Sequence, residues 1–526
     1  MQKLVLAALA IALGLGFFFV AGQPFGKKEN PTLSLAEPLC GQFNPSDIDF
    51  SVLNDIRDII MQYSVFYAKN RPDQAQVLNR SLPVIFGTFG VPEEEIPAWA
   101  WDMVKEASRK GIEADFAVIQ RIYERLRDDP EYQQLPAYNR LNSPTFARQF
   151  FDSAITGIVK RGLVDPFAAY MDPEAYQSGD DMVSGKYSGV GIRHDVRENK
   201  FIVTKVFPGE PAEKAGVRPG DELLAVDGKF VAGCSSRAFG MKVRGKPGTA
   251  VVLRVRRMNG GEEDIKIIRD TIRTPSVLSC PGVFLPQDRG KSDKDLAIDC
   301  PLLGKKGEQI KDIAYVKVKI FSAEMPKDLM AVLFGLDPKK YKGIIIDLRG
   351  NPGGSVRALG EALDYFFEDI VFKTTEYYNG AKEELRHERY NIAVDASLIV
   401  LVGPDPNETG PQNNSYSAAE AFAGIMQDLR RAVIIGEQRT GGKGTTNLEI
   451  PIRDGKSGAL YLAIGLWYTP SGRSVQGEDL DGDGYEDTGG ITPDIVVRWS
   501  DEDYAKRNQD ATWDPILQRA IDEFAR

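Results

Sequence analysis

Ile344-Ile345-Ile346-Asp347-Leu348-Arg349-Gly350-Asn351-Pro352-Gly353-Gly354 is an apolar strand that runs straight into a tight glycine turn. A helix is predicted to open near Ser355. That corner would expose backbone N–H groups at the C-terminal end of a strand, where open α/β sheets place their sites. Gly353 and Gly354 are the candidates to donate to an oxyanion. The plainer alternative is an ordinary strand–turn–helix corner. Around this stretch, short apolar runs (YVKVKIF, GIIIDL, SLIVLVG, AVIIGE) alternate with helical patterns from Ile313 onward. That alternation predicts an α/β unit.

Two further motifs lie in the same region. Asn414-Ser-Tyr-Ser417-Ala418-Ala-Glu420 follows the strand SLIVLVG across a polar, Pro-rich loop. Small residues after Ser417 suit the start of a helix packed closely on a sheet. A serine there feels the positive end of the helix, and the next amide, on Ala418, is free to face an oxyanion. Read alone, Ser417 is equally an N-cap. Gly436-Glu-Gln-Arg-Thr440-Gly-Gly442-Lys443-Gly444-Thr-Thr-Asn447 places a lysine between glycines after a buried strand. Burial disfavours a lysine's charge and lowers its pKa from about 10.4. A neutral amine then takes the proton of a serine hydroxyl. The alternative is a solvated loop lysine.

Upstream, residues 184–274 change character. Strands such as FIVTKV and VVLRVRR are separated by Gly and Pro turns. Ser188-Gly189-Val190-Gly191-Ile192 is followed in order by Pro211-Ala212, Ala215-Gly216, Gly220-Asp221 and Asp227-Gly228. This series resembles a PDZ domain of the bacterial protease type. The resemblance implies that the amides of Gly189, Val190, Gly191 and Ile192 hold a peptide's terminal carboxylate, with the peptide added as a strand on a sheet edge. His194, just beyond, reads as a surface histidine on a strand.

Taken together, the three downstream motifs resemble the C-terminal processing peptidases, also called tail-specific proteases. The family pattern is a DLR-N-PGG turn, a TASASE-like serine motif, and GKG with Gln four residues after the Lys. The resemblance runs from about Phe150 to Phe524. It includes Asp165-Pro-Phe-Ala-Ala-Tyr170, Tyr468-Thr-Pro-Ser-Gly-Arg473, Gly490-Ile-Thr-Pro-Asp494-Ile and Asp514-Pro-Ile-Leu-Gln518. It implies a multidomain α+β protein with a PDZ β-rich domain and a crotonase-like α/β protease core. It implies Ser417 as nucleophile, Lys443 as general base, and Ala418 with Gly353 or Gly354 as oxyanion hole. Asn447 falls where the family has the Gln that orients the lysine. Tyr416 and Ala419 stand where small Ala and Ser are usual, and the loop GPDPNETGPQNN is longer than the family's. Implied partners are protein substrates bound through their C-terminal tails, and an oligomer or adaptor is compatible with the family. A second reading stays open, a PDZ scaffold that binds C-termini with weak or no turnover.

The wider chain fits this frame. Its 526 residues exceed one core and suggest roughly three domains. The net charge of -10 and the lack of any long Lys/Arg run argue against nucleic-acid binding. Lys3 precedes an apolar run from Leu4 to Val20, then Ala21 and Gly22. Residues 1–22 therefore read as a cleaved signal peptide or a retained inner-membrane anchor, and either places the rest in the periplasm or otherwise outside the cytoplasm. Residues 23–43 read as a linker. Residues 44–183 read as a helical region, with apolar residues at helical spacing in Val52, Ile56, Ile59, Ile60 and Tyr63, and again in Phe150, Ile155, Ile158 and Val159. Residues 275–312 read as an inserted loop, 313–500 as the protease core, and 501–526 as a C-terminal helix.

The cysteines are Cys40, Cys234, Cys280 and Cys300, and Cys280–Cys300 is the favoured pair because it closes the shortest loop. The chain has 2 histidines and no CxxC, so a zinc site has few residues to draw on. No cofactor is expected for the peptidase chemistry. Asp479-Leu-Asp481-Gly-Asp483-Gly484-Tyr-Glu-Asp487 resembles the front of a calcium loop, but position 12 would be Gly490 rather than Glu. Calcium and a solvated acidic turn both stay open there.

Overall fold

The computed structural model describes residues 49–525 apart from 67–73, 88–90, 109–115, 131–143, most of 172–185, 232–235, most of 281–309, 337–339, 388–393, 409–412, 478–487 and a few single or paired positions. The N-terminal apolar run, the linker, Cys40, Cys234, Cys300 and the acidic turn at 479–487 lie outside the described residues. Cys280 is disulfide-bonded, to a partner outside them. Among the described residues no helix is long and apolar enough to cross a membrane.

The first region holds helices α1 (Val52–Tyr63), α2 (Gln74–Gly87), α3 (Ala98–Ser108), α4 (Val118–Asp128) and α5 (Pro144–Thr156). Leu53, Ile56, Leu78, Leu82, Ile119, Ile122, Phe150 and Ile155 form their shared core. The region is not purely helical, because Ala169–Met171 forms a strand, β1.

The second region is the PDZ unit. It contains β2 (Lys186–Gly189), β3 (Ile192–Arg197), β4 (Lys200–Val206), β5 (Glu222–Val226), β6 (Lys229–Phe230), a helix α6 (Ser236–Val243), β7 (Ala250–Arg256), β8 (Glu262–Ile268) and β9 (Asp270–Arg273). The main sheet runs β3-β4-β5-β7-β8, so β3 is an edge strand. The alternating burial of β7, with Val251, Leu253 and Val255 inward, is what a half-buried antiparallel strand requires.

The third region is built on two sheets. The first contains β10 (Val277–Cys280), β11 (Ile313–Val318), β12 (Gly343–Asp347), β15 (Ser397–Val402), β16 (Ala432–Gly436) and β19 (Ile495–Val496), in the order β10-β11-β12-β15-β16-β19. The second joins β13 (Ile370–Tyr377), β14 (Lys382–His387), β17 (Thr445–Pro451) and β18 (Ala459–Tyr468) to β1. Residues 275–312 are thus not wholly a loop, since β10 pairs antiparallel with β11 through Val277–Val318. From β11 to β19 the first sheet is parallel. A parallel sheet needs both faces covered, which is why β12 is buried at every position. One face packs on α7 (Met325–Gly335), α8 (Val356–Leu363) and α9 (Ala418–Asp428). Of the terminal helices α10 (Asp501–Gln509) and α11 (Pro515–Glu523), α11 covers the other face with Ile516, Leu517, Ala520 and Ile521. The amphipathic closing helix is α11, whereas the wider range 501–526 holds two helices, since α10 ends at Gln509 and α11 opens at Pro515 behind its Asp514 cap.

One buried ionic network ties the end of β12 to α11. Arg349 donates to both oxygens of Asp347 and, through Nη1, to Asp514 at 2.7 Å. Asp514 also caps α11 by accepting from the Ile516 and Leu517 amides. Tyr315 and Lys317 reach Asp347 from β11. Burial pushes the Asp347 carboxyl up, but the charges of Arg349 and Lys317 outweigh it and hold it well below the usual carboxylate range. Removing one partner of such a pair strands a buried charge. Arg349→Leu should therefore cost about 3–5 kcal/mol of stability, measured by denaturant unfolding. A loss below about 1 kcal/mol would show the network to be structurally idle.

Candidate active site

Three parallel strands deliver three loops to one end of the sheet. The turn after β12 carries Gly353, the loop after β15 carries Ser417, and the loop after β16 carries Lys443. Asn351, fully buried, connects the first two. Its carbonyl accepts from the Tyr416 amide at 2.9 Å, its Oδ1 from the Gly353 amide at 2.8 Å, and its Nδ2 donates to the Val318 carbonyl. A Cβ on Gly353 would stand 2.7 Å from the Ser417 Cβ and 3.0 Å from the Ala418 nitrogen, so only glycine allows this approach.

Ser417 begins α9 at φ 55 and ψ -115, a conformation rare for a residue with a side chain. Such strain costs on the order of 1–3 kcal/mol and persists only where surrounding contacts impose it. Here its amide donates to Glu420 Oε2 at 2.7 Å. The Ala418 amide, the first of the helix, forms no hydrogen bond among the described residues, as helix starts dictate. The Gly353 amide is taken by Asn351, whereas that of Gly354 forms no bond among them. Among the described residues, the open amides are thus that of Ala418, next to Ser417, and that of Gly354, whose backbone lies against Phe321.

Lys443 lies half-buried, with Nζ 4.9 Å from the Phe167 ring and 5.4 Å from that of Tyr461. Phe167 packs edge-on against Tyr416, and a Cβ on Gly441 would run into the Tyr416 ring. The larger Tyr416 is accommodated because its neighbour has no side chain. Asp165, just before Phe167, is buried and accepts from the Phe167 and Ala463 amides. Burial pushes its carboxyl up to about 6, against those bonds and the charge of Lys443. Asn447 sits at a β-bulge in β17. Its Oδ1 accepts from the Thr445 hydroxyl at 2.7 Å, and its buried Nδ2 has no partner among the described residues.

The residue that assembles these pieces was not given a role from sequence. Glu420 is fully buried. Its Oε2 accepts from the amides of Ser417 and Lys443 at 2.7 and 2.8 Å. Its Oε1 accepts from the Gly442 amide and the Thr440 hydroxyl, both at 2.6 Å. Burial raises its carboxyl pKa, while these donors oppose the rise. The S-x-x-E spacing of a capping box was the available signal, and it predicts the bond to Ser417 but not those to the Lys443 loop.

In the PDZ unit, Val190 is buried and its carbonyl accepts from Ala212, while Gly191's accepts from Phe207. The amides of both residues make no bond among the described residues. Gly189 closes β2 and Ile192 opens β3, whose outer edge carries no strand among them. His194 is half-buried and stacks on Phe239 of α6 and on Phe201, at 4.7 and 5.5 Å between ring centroids. One side of its ring therefore packs against α6, on a strand residue that stays partly open to solvent.

Glu420→Gln replaces one acceptor oxygen by a donor amide opposite existing donors. Turnover should fall by roughly 100-fold with the protein still folded, because small misplacements of reacting groups are costly. Near-normal turnover in a kinetic assay would show that the two loops hold their positions without this carboxylate.

Residues 312–497 match the model of peptidase family S41, and residues 188–268 match that of the PDZ domain. A carboxy-terminal-processing protease of Bartonella bacilliformis is 31% identical over 381 residues, covering 72% of this chain and 73% of that protein. The carboxy-terminal processing protease CtpA of Bacillus subtilis is 29% identical over 354 residues, covering 66% of this chain and 67% of its own. Among solved structures, a photosystem II D1 C-terminal processing protease aligns over 72% of this chain and 92% of its own, at 19% identity and a TM-score of only 0.36. The two family models and the extent of the first relative carry the assignment: the chain belongs to peptidase family S41 as a PDZ-bearing carboxy-terminal processing protease, a serine-type endopeptidase.

Proposed function

We propose that this protein is an exported endopeptidase that receives protein C-terminal tails, or unstructured polypeptide, through its PDZ domain and cuts them with Ser417 and Lys443. The observation that carries the reading is the shared hold of Glu420 Oε2 on the amides of Ser417 and Lys443. It ties the nucleophile's loop and the base's loop to one buried point. The apolar run Leu4–Val20 behind Lys3 supports export to the periplasm or cell exterior, with the segment either cleaved or kept as an anchor.

In this mechanism Lys443 Nζ, as a neutral amine, takes the proton from Ser417 Oγ as the oxygen attacks the peptide carbonyl. The developing oxyanion is held by the amides of Ala418 and Gly354. Lys443 returns the proton to the leaving amine, leaving an acyl-enzyme. Water then gives a proton to Lys443 while its oxygen attacks the ester carbonyl, the bond to Ser417 Oγ breaks, and Lys443 passes the proton to Oγ, which restores the serine and the neutral amine. The steps use protein groups and water alone. Asn447 supports the loop that carries Lys443, by way of the Thr445 hydroxyl.

Ser417→Ala should abolish cleavage of an unfolded substrate while tail binding persists, and Lys443→Ala should do nearly the same. Turnover retained by either variant, followed by gel or mass spectrometry, would remove that residue from its role. Binding without cutting by the unmodified protein would instead identify a PDZ scaffold.

Asn447→Ala should lower turnover less than Lys443→Ala, and Asn447→Gln should be tolerated. An unchanged rate in folded Asn447→Ala would assign the support of Lys443 to other residues.

A further inference from the structure

The backbone of Lys443 is held from two sides. Its own amide donates to Glu420. The next amide, that of Gly444, donates to the Gly442 carbonyl at 3.2 Å, which makes Lys443 the central residue of a three-residue turn. The same Gly444 amide also donates to Gln476 Oε1 at 3.1 Å. The Gly442 carbonyl accepts a second time, from the Gly477 amide at 2.9 Å. Both peptide groups flanking Lys443 are thus gripped by residues 476–477, in the segment that follows β18. The Gln476 amide is itself oriented, because its Nε2 donates to the Gly477 carbonyl at 2.8 Å. Exchanging its two ends would set donor against donor and acceptor against acceptor.

This contact is close, and its support does not depend on Lys443. A Cβ on Gly444 would stand 2.2 Å from the Gln476 nitrogen and 2.6 Å from its Cα, so the two backbones lie directly on each other. Val475 is fully buried in the core shared with α9. Its carbonyl accepts from the Gly490 amide, and Ser474 bridges to Tyr468. Arg473 donates to Asp428 and Gln427 at the far end of α9, the helix that Ser417 opens. Gln476 is therefore presented by an anchored segment. Its side chain is only half-buried, so it can be changed without opening the core.

A lysine carries its amine on a flexible four-carbon stem, so the backbone that aims the stem decides where Nζ arrives. Asn447, at the place of the orienting Gln, gives its Oδ1 to the Thr445 hydroxyl. The side-chain acceptor that reaches the turn at Lys443 comes instead from Gln476. We infer that Gln476 is a positioning residue for the general base, fixing the turn centred on Lys443 and with it the approach of Nζ to Ser417 Oγ. The inference rests on the Ser417–Lys443 reading. Gln476 acts through Lys443 and takes no proton itself.

The test compares Gln476→Met and Gln476→Glu in the full-length protein. Met keeps the length of the side chain and removes the acceptor. Glu keeps an acceptor oxygen for the Gly444 amide. Peptide cleavage is measured on the alkaline plateau, where Lys443 is neutral and the added charge of Glu does not withhold the base. Labelling of Ser417 by a fluorophosphonate is followed in parallel, because it reports activation of the serine without a peptide. Gln476→Met should lower kcat about 30-fold and the labelling rate by a similar factor, since small misplacements of reacting groups are costly. KM should stay within about twofold, because an interaction made only on the way to the transition state is lost. The denaturant midpoint should not move. Gln476→Glu should recover both rates to within about threefold of the unmodified protein. A Met variant with a near-normal rate overturns the inference, and so does a Glu variant no better than Met. A loss that falls on KM, or that follows a lowered unfolding midpoint, overturns it equally. With Lys443→Ala inactive, each of these outcomes leaves the Ser417–Lys443 reading standing. Turnover retained by Lys443→Ala overturns that reading and this inference with it.

Discussion

Four donors converge on the Glu420 carboxylate, and they come from both the Ser417 loop and the Lys443 loop. Two are the amides of Ser417 and Lys443 on the same oxygen, and two are Gly442 and Thr440 on the other. A buried carboxylate without partners would be costly, and burial does push this one toward its neutral form. Its four donors make the burial tolerable, and the same bonds fix where the loops lie. The helix start adds to this, because its positive end favours an acid in the first turn. The strained backbone of Ser417 follows from the same arrangement. Its amide is drawn into Glu420, its Cβ is pressed on Gly353, and its preceding residue is held by Asn351.

A second buried network carries this assembly into the rest of the core. Arg349 links the end of β12 to Asp514, and Asp514 caps the helix that covers the far face of the sheet. The glycine turn beside Ser417 therefore begins at an anchored strand end. On its other side the site is closed by residues distant in sequence. Phe167 and Tyr461 flank Lys443, and β1 is paired to β18 through Ala169–Tyr461. The helical region rests on that same β17–β18 hairpin, with Ile452, Leu460 and Leu462 in its core. Arg453, at the hairpin tip, binds Asp55 and Asp49 at the start of the helical region. The lysine's apolar surroundings thus depend on a region that offers no chemistry of its own.

Much of this was legible along the chain because it is local. Apolar runs ending in glycine turns mark parallel strands, and the ordered glycine series between Ser188 and Gly228 marks the PDZ unit. Ser417 at a helix start and Lys443 between glycines follow from short-range pattern, as does the S-x-x-E spacing of Glu420. Where local pattern misled, non-local pairing overrode it. Val277–Cys280 sits in a charged, irregular stretch, yet it becomes a sheet edge because β11 offers it partners. His194 reads as a surface histidine on a strand, and the tertiary structure adds Phe239 of α6 against its half-buried ring.

The sequence by itself determined the PDZ-plus-protease organisation and singled out the candidate reactive side chains, since each rests on spacing over a few residues. Only the tertiary structure decided which groups meet. The joining of the Ser417 and Lys443 loops through Glu420, the hold of Asn351 on the Gly353 amide, and the placing of Phe167 and Tyr461 beside Lys443 all come from strand order and register. The physical reason is that hydrogen bonds and charge interactions act over a few ångströms in space. Residues that far apart along the chain come within that range only once the sheets have paired and their faces are covered.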